Sequence, residues 1–214
     1  MYKRQVSSGG AEGATIHVWE LDPVGDEIGL QRRRTDTVRR IVAERSANLP
    51  FAAEVVASLQ ADTALDPALR QAAVRLVETR GDNATALLAA SQQTLRNADA
   101  PADALALSLR RAEAVARTWP DDVAALWTLG FAQFRSGQFA EALASAKKAQ
   151  SNAQEKHNAP SPIALLIEAM ADAGLGNMDK AKSTFVQAQA LPVSAFDPEP
   201  DRKTINQQAE QIIR

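Results

Sequence analysis

Leu126-Trp127-Thr128-Leu129-Gly130-Phe131-Ala132-Gln133-Phe134-Arg135-Ser136-Gly137-Gln138-Phe139-Ala140-Glu141-Ala142-Leu143 is the stretch that decides the fold. Apolar residues recur at three- and four-residue intervals on both sides of Gly137, so it reads as helix, glycine turn, helix. Ala164-Leu165-Leu166-Ile167-Glu168-Ala169-Met170-Ala171-Asp172-Ala173-Gly174-Leu175-Gly176-Asn177-Met178-Asp179-Lys180-Ala181-Lys182 repeats the pattern. The turn glycines Gly137 and Gly176 stand 39 residues apart, a helical-repeat period with a few residues inserted. The insertion is placed at Asn152 to Pro162, read as a polar loop that contains His157.

Upstream, breakers divide the chain into further helices. Asp99-Ala100-Pro101 precedes one expected over about 102–118. Asp82 or Asn83 opens another, with Leu87, Leu88 and Leu95 on its apolar side. Asp66-Pro67 is a helix start, Asp as N-cap and Pro at the first position where its missing N–H costs nothing, and Gly81 is the matching stop. Helices over about 30–46 and 51–60 come before it. The first turns Leu30, Val38, Ile41 and Val42 toward a core and carries Arg32, Arg33, Arg34, Arg39 and Arg40. Asp22 to Gly29 reads as a breaker-rich linker. Residues 1–21 differ from the rest: Ala14-Thr15-Ile16-His17-Val18-Trp19-Glu20-Leu21 alternates and is β-branched, a strand signal behind a glycine turn. Downstream, Pro192 to Pro200 is a linker and about 202–213 a polar helix with Ile205, Ile212 and Ile213.

Composition narrows the function. The 214 residues include no Cys and two His, which removes disulfides, thiolate metal sites and a cysteine nucleophile, and no metal or other cofactor is expected. Lys+Arg 24 against Asp+Glu 26 gives no overall field for nucleic acid or an anionic membrane. No run approaches the ~20 apolar residues that span a bilayer. No apolar segment follows the basic start Met1 to Gln5, so the expected location is the cytoplasm. Alanine is roughly a fifth of the chain, the best helix former and small enough for close helix approach.

The two self-similar stretches resemble the tetratricopeptide repeat (TPR) family. Leu129-Gly130 matches its helix-A Leu-Gly step, Gly137 its turn glycine, Ala142 and Ala149 its small helix-B positions, and Pro120 the proline closing the previous repeat. In the next repeat Ala181 and Phe185 match the Ala-x-x-x-Phe pair, followed by Ala188 and Pro192. Gln133 stands where the family has an aromatic, and Glu168-Ala169 where it has Leu-Gly. The resemblance is strong over about 120–192, weaker over 82–118 and limited to helical capping over 30–80. Val6 to Leu21 resembles the last half of a WD40 propeller blade through its glycine turn, its Thr-Ile-x-Val-Trp strand and the acid after Trp19. The combination resembles the C-terminal tail of large planctomycete-type bacterial proteins with WD40 repeats, a serine/threonine kinase domain, or both. No kinase motif is present, no G-x-G-x-x-G loop, His-Arg-Asp or Asp-Phe-Gly, so any catalytic part would lie outside these residues.

The resemblance implies a mainly α fold: a TPR-like α-solenoid of antiparallel helix pairs with a short N-terminal β-hairpin remnant of a WD40 blade. Its parts are a half-blade (1–21), linker (22–29), helical cap (30–81), repeats (82–192), and a linker with capping helix (193–214). In the TPR register, Trp127, Phe131, Phe134 and Arg135 line the groove in one repeat and Ile163, Leu166 and Met170 in the next. Trp127 and Phe131 stand where a carboxylate clamp would need Lys and Asn, which disfavours a chaperone-tail ligand. An amphipathic helix or apolar peptide fits the groove chemistry, and so does a neighbouring helix of this chain such as 202–213. The expected function is a non-catalytic interaction module for a protein or peptide partner, without nucleic acid, membrane or small-molecule substrate. The alternative is the accessory region of a kinase or WD40 protein. The Arg-rich run Gln31 to Arg40 lacks interleaved aromatics and reads as a solvated face.

Overall fold

The computed structural model describes residues 23–192 and 197–213. Among them are ten helices: α1 (Pro23–Ser46), α2 (Ala52–Ala61), α3 (Pro67–Arg80), α4 (Ala84–Arg96), α5 (Ala102–Thr118), α6 (Val123–Arg135), α7 (Phe139–His157), α8 (Pro162–Gly174), α9 (Met178–Ala190) and α10 (Glu199–Ile213). No strand occurs among the described residues, so the chain is mainly α. The half-blade expected over 1–21 and residues 193–196 of the expected C-terminal linker lie outside them.

The chain divides after Gly81 into two compact units. In the first, α1, α2 and α3 all touch one another around Val38, Val42, Val55, Leu59, Ala73 and Val77. The Asp66 carboxylate accepts from the Ala68 and Leu69 N–H groups at 2.9 and 3.0 Å, with Pro67 at the first helical position. Gly81 ends the helix at φ 64°. Arg45 of α1 pairs with Asp62 after α2, and Arg70 of α3 donates to the Asp62 carbonyl at 2.9 Å.

Two expectations for this unit are corrected. The stretch read as a linker is helical from Pro23 onward. Proline is tolerated in a first turn, and Asp26 there suits the positive end of the helix dipole. Leu30, expected in the core, is 60% exposed. The residues of α1 buried in this core begin at Val38, so the first part of the helix has no apolar layer to turn toward.

In the second unit each helix packs on the next from α4 to α9, and α4 touches α6 while α6 touches α8. The pairs α4–α5, α6–α7 and α8–α9 are therefore helix hairpins with α4, α6 and α8 in one layer. Their capping repeats at a 39-residue interval. Asn83, Asp122 and Ser161 each accept from the N–H three residues on: Ala86 (3.1 Å), Ala125 (2.8 Å) and Ala164 (3.1 Å). The α6–α7 and α8–α9 turns share their closing bonds. Gln138 N–H reaches Gln133 O at 2.9 Å and Gly137 N–H reaches Phe134 O at 2.9 Å. Asn177 reaches Asp172 O at 2.8 Å and Gly176 reaches Ala173 O at 3.0 Å, the same pairs 39 residues on. Gly137 and Gly176 supply the left-handed φ that this helix ending requires, 76° and 84°. The α4–α5 connection has no such glycine and is longer, running through Pro101.

Small residues set the spacing inside the hairpins. A Cβ on Gly130 would lie 3.3 Å from the Ala142 carbonyl oxygen and 3.4 Å from Ala146 N, so α6 rests on the backbone of α7 there. Ala142, Ala146 and Ala149 are fully buried along that helix. The loop expected over Asn152 to Pro162 is largely helical, because α7 continues to His157 and places that residue in its last turn. The extension fastens the α5–α6 connection: Asn152 and Lys156, one turn apart, both donate to the Asp121 carbonyl, at 3.2 and 2.7 Å. The final helix starts at Glu199, before the expected 202, and takes Pro200 into its first turn.

Candidate partner-binding groove

The roll of α6 follows from three contacts. Gln92 of α4 donates to the Thr128 hydroxyl at 3.1 Å, so Thr128 faces α4. Gly130 faces α7 and α8, where its missing Cβ leaves room for Ala142, Ala146 and Ile167. Gln133 accepts from Ser145 of α7 at 2.7 Å. At about 100° per residue these directions leave one side, which carries Trp127 and Phe131, turned toward neither neighbour in the layer nor the outer helices. Leu166 and Met170 occupy the same positions 39 residues on.

That face is not open. Trp127 is 1% exposed and Phe131 2%, and Ile163, Leu166 and Met170 are as deeply buried. Ile205, Ala209 and Ile213 of α10 belong to the same continuous apolar cluster as these five residues. α10 touches α8, α9 and α4, the helices on either side of α6 included. It bridges α8 and α4, the two neighbours of α6 in the layer, and shares one apolar cluster with Trp127 and Phe131. Of the two occupants the sequence left open, the chain's own C-terminal helix is the one seated here. Its inner stripe is Asp201, Ile205, Ala209 and Ile213 at four-residue steps, all buried, whereas Ile212 is 39% exposed and stays outside.

Polar contacts fasten the N-terminal end of α10. Asp197 accepts the Ser161 hydroxyl at 2.9 and 3.0 Å and the Ile163 N–H at 3.3 Å, a buried carboxylate at the start of α8. Asp201 is held by Arg96 through two bonds of 2.7 and 2.8 Å, which raises the guanidinium pKa above its ordinary value. Arg202 donates to the Leu191 carbonyl at 2.7 Å, past the end of α9. Arg96, Asp197, Asp201 and Arg202 were not singled out from sequence. One signal was available for Arg96: it precedes Arg135 by the repeat interval.

Two expected groove residues do other work. Arg135 donates to the carbonyls of Leu95 (3.1 Å), Asn97 (2.7 Å) and Ala98 (2.6 Å), closing the C-terminal end of α4. Burial lowers its pKa from the ordinary guanidinium value. Phe134 is half-buried with its ring centroid 5.6 Å from that of Phe139, across the α6–α7 turn.

Among the described residues no cluster of His, Cys, Asp or Glu could hold a metal ion. No described helix is long and apolar enough to cross a membrane. No protein-family model, curated protein or solved structure matches the chain.

Proposed function

We propose that residues 82–213 form a TPR-like helical-repeat module, a short α-solenoid, whose α4–α6–α8 face binds an amphipathic helix, and that its role is non-catalytic protein–protein interaction. The reading is supported by three hairpins whose caps recur at one interval and by an apolar, aromatic face built from equivalent positions of successive hairpins. Stacked helix pairs of this kind leave extended surfaces suited to peptides and helices. One observation carries it: a helix is seated on that face, through the three apolar residues Ile205, Ala209 and Ile213 and a bidentate acid–arginine contact. Trp127 and Phe131 are aromatic anchors of the type that dominates binding energy.

The test uses the full chain carrying Ile205→Asp, which puts a charge into the stripe of α10. A fluorescent peptide of residues 197–213 is titrated against it. Saturable binding, lost when the peptide carries Ile205→Asp and Ile213→Asp, is the expected result. A variant that keeps α4 to α9 folded yet ignores the peptide would refute the helix-binding role.

A further inference from the structure

The positive charge of the first unit rests on one residue type and gathers on one helix. Residues 23–81 contain nine Arg and no Lys, and five of the nine fall between Arg32 and Arg40. They begin where α1 stands clear of its own core. Every residue from Asp26 to Asp36 except Gly29 is exposed, and the buried part of the helix begins at Val38. At about 100° per residue, Val38, Ile41, Val42 and Arg45 share the side that meets α2 and α3. The opposite side carries Gly29, Asp36 and Ala43 in line. Arg32 and Arg39 form a row along one edge of that line, and Arg33 and Arg40 a row along the other. Asp26 and Glu44 bound this side at its two ends. Residues in a row are two turns apart, about 10.5 Å, and the rows diverge by about 100° around the axis. All four arginines are exposed, and among the described residues only Arg39 has an acid in reach, Asp36 at 3.8 Å.

We propose that this side of α1 enters the major groove of duplex DNA, with one arginine row against each phosphate wall. The contact belongs to the first unit and is independent of the helix-binding reading of the second. The groove is about 12 Å wide and about 8.5 Å deep, which admits a helix that no neighbour covers. Two helical turns match about three base-pair steps of about 3.4 Å, so both arginines of a row reach phosphates of one strand. Asp36, between the rows, then faces base edges rather than phosphates, where a carboxylate accepts from the cytosine amino group. The same face discriminates against other anions. Its central line of Gly29, Asp36 and Ala43 has no large apolar side chain, so a protein helix finds nothing to bury and a lipid surface nothing to receive. A flat acidic surface engages one row and leaves the other in water. The major groove of duplex RNA is too narrow for a helix. Arginine suits phosphate better than lysine does, because its planar fork binds two oxygens at once. The whole-chain balance of −2 averages over both units and conceals this face.

The test is fluorescence anisotropy of a labelled mixed-sequence duplex of about 20 base pairs, titrated with the full chain. Half-saturation should come at roughly micromolar protein in about 50 mM salt. Four phosphate contacts give a log–log salt slope of about −3.6, roughly a hundredfold loss of affinity between about 50 and 200 mM. Arg32→Gln with Arg39→Gln removes one row and should make the slope shallower by about two; Arg33→Gln with Arg40→Gln should do the same. These side chains are exposed, so both variants should keep the parent's helical circular dichroism. An effect confined to one pair means a flat contact and overturns the groove. Arg75→Gln with Arg80→Gln removes the same charge from exposed positions of α3 and should leave the slope unchanged. A loss equal to that of the α1 pairs makes the binding a general charge effect and overturns the proposal. Single-stranded DNA, duplex RNA, polyglutamate and phosphatidylserine vesicles should each bind at least about tenfold more weakly than duplex DNA. Equal or tighter binding of any of them puts that ligand in place of the DNA groove. No saturable binding of the duplex in about 50 mM salt leaves this side of α1 as solvated charge and overturns the proposal outright.

Discussion

Arg96 and Asp201, 105 residues apart in sequence, meet as a bidentate ion pair between the last turn of α4 and the first turn of α10. The carboxylate is 3% exposed, so it depends on its partner more than the guanidinium does. Replacing Arg96 by Met should strand a buried acid and lower unfolding stability by about 1–3 kcal/mol. Arg96→Lys keeps the charge but not the planar fork, and should recover only part of the loss. Asp201→Asn keeps the shape and should cost less than Arg96→Met, because the arginine left behind can reach water. Urea unfolding followed by circular dichroism ranks the three.

Gly130 and Gly29 are both helical glycines, and alanine should act on them in opposite directions. On α1, a Cβ at Gly29 would meet only the Arg33 guanidinium, at 4.0 Å. Gly29→Ala should therefore gain the usual helix preference, about 0.5–1 kcal/mol. At Gly130 the same methyl would press on backbone atoms of Ala142 and Ala146 at 3.3 and 3.4 Å, which cannot move without shifting α7. Gly130→Ala should lose stability by about 1 kcal/mol in spite of the better propensity. Thermal midpoints of the two variants, moving apart from the parent value, are the readout.

The equivalence of the two glycine turns is also measurable. Gly137 and Gly176 hold φ of 76° and 84°, with open space where a Cβ would go. Substitution by alanine therefore meets backbone strain alone, about 1–2 kcal/mol at each position. The two variants should be equally destabilised, and asparagine at either site should be milder. A large difference between Gly137→Ala and Gly176→Ala would mean that the turns are not the same element used twice.

What was legible in the sequence is what neighbouring residues decide. Asp66-Pro67, Gly81, Gly137 and Gly176 act within one turn of chain, and each lies where its backbone chemistry places it. The register that puts Trp127 and Phe131 on one side follows from helical spacing alone. What covers that side depends on a helix that begins 64 residues after α6 ends, through a stripe weak in apolar character, and no local pattern encodes the meeting of Asp201 with Arg96. Gly25, Gly29 and Pro23 were read as breakers because propensity counts them so, yet a proline in the first turn removes only a donor that had no partner. Leu30 looked like core because its spacing to Val38 is helical; its exposure reflects where the buried part of α1 begins. His157 looked like loop because its surroundings are polar, but the polar side chains of Asn152 and Lys156 are what tie this end of α7 to Asp121.

Lys180 and Asp172 provide a pH-dependent test within the last hairpin. Asp172 is buried and accepts from Lys180 at 2.6 Å and from Asn177 at 3.3 Å, while Lys180 also reaches Glu168 at 3.4 Å. The hydrogen bond to Asp172 is the main cause of a raised lysine pKa. A cation whose folded pKa lies above its unfolded one stabilises fully below the ordinary lysine range, and the contribution fades as pH rises through the folded value. The unaltered chain should therefore lose stability above about pH 10. Lys180→Met should be less stable at neutral pH by about 1–2 kcal/mol, since Asp172 keeps Asn177 as a partner and the lysine is partly solvated. The gap between the two proteins should narrow as pH rises, while other lysines titrate equally in both and cancel. Gln133 and Glu141 hold the equivalent positions one repeat earlier, with no amine to titrate. Glu141→Gln should leave the alkaline profile unchanged, which separates the Lys180 contact from a general loss of charge.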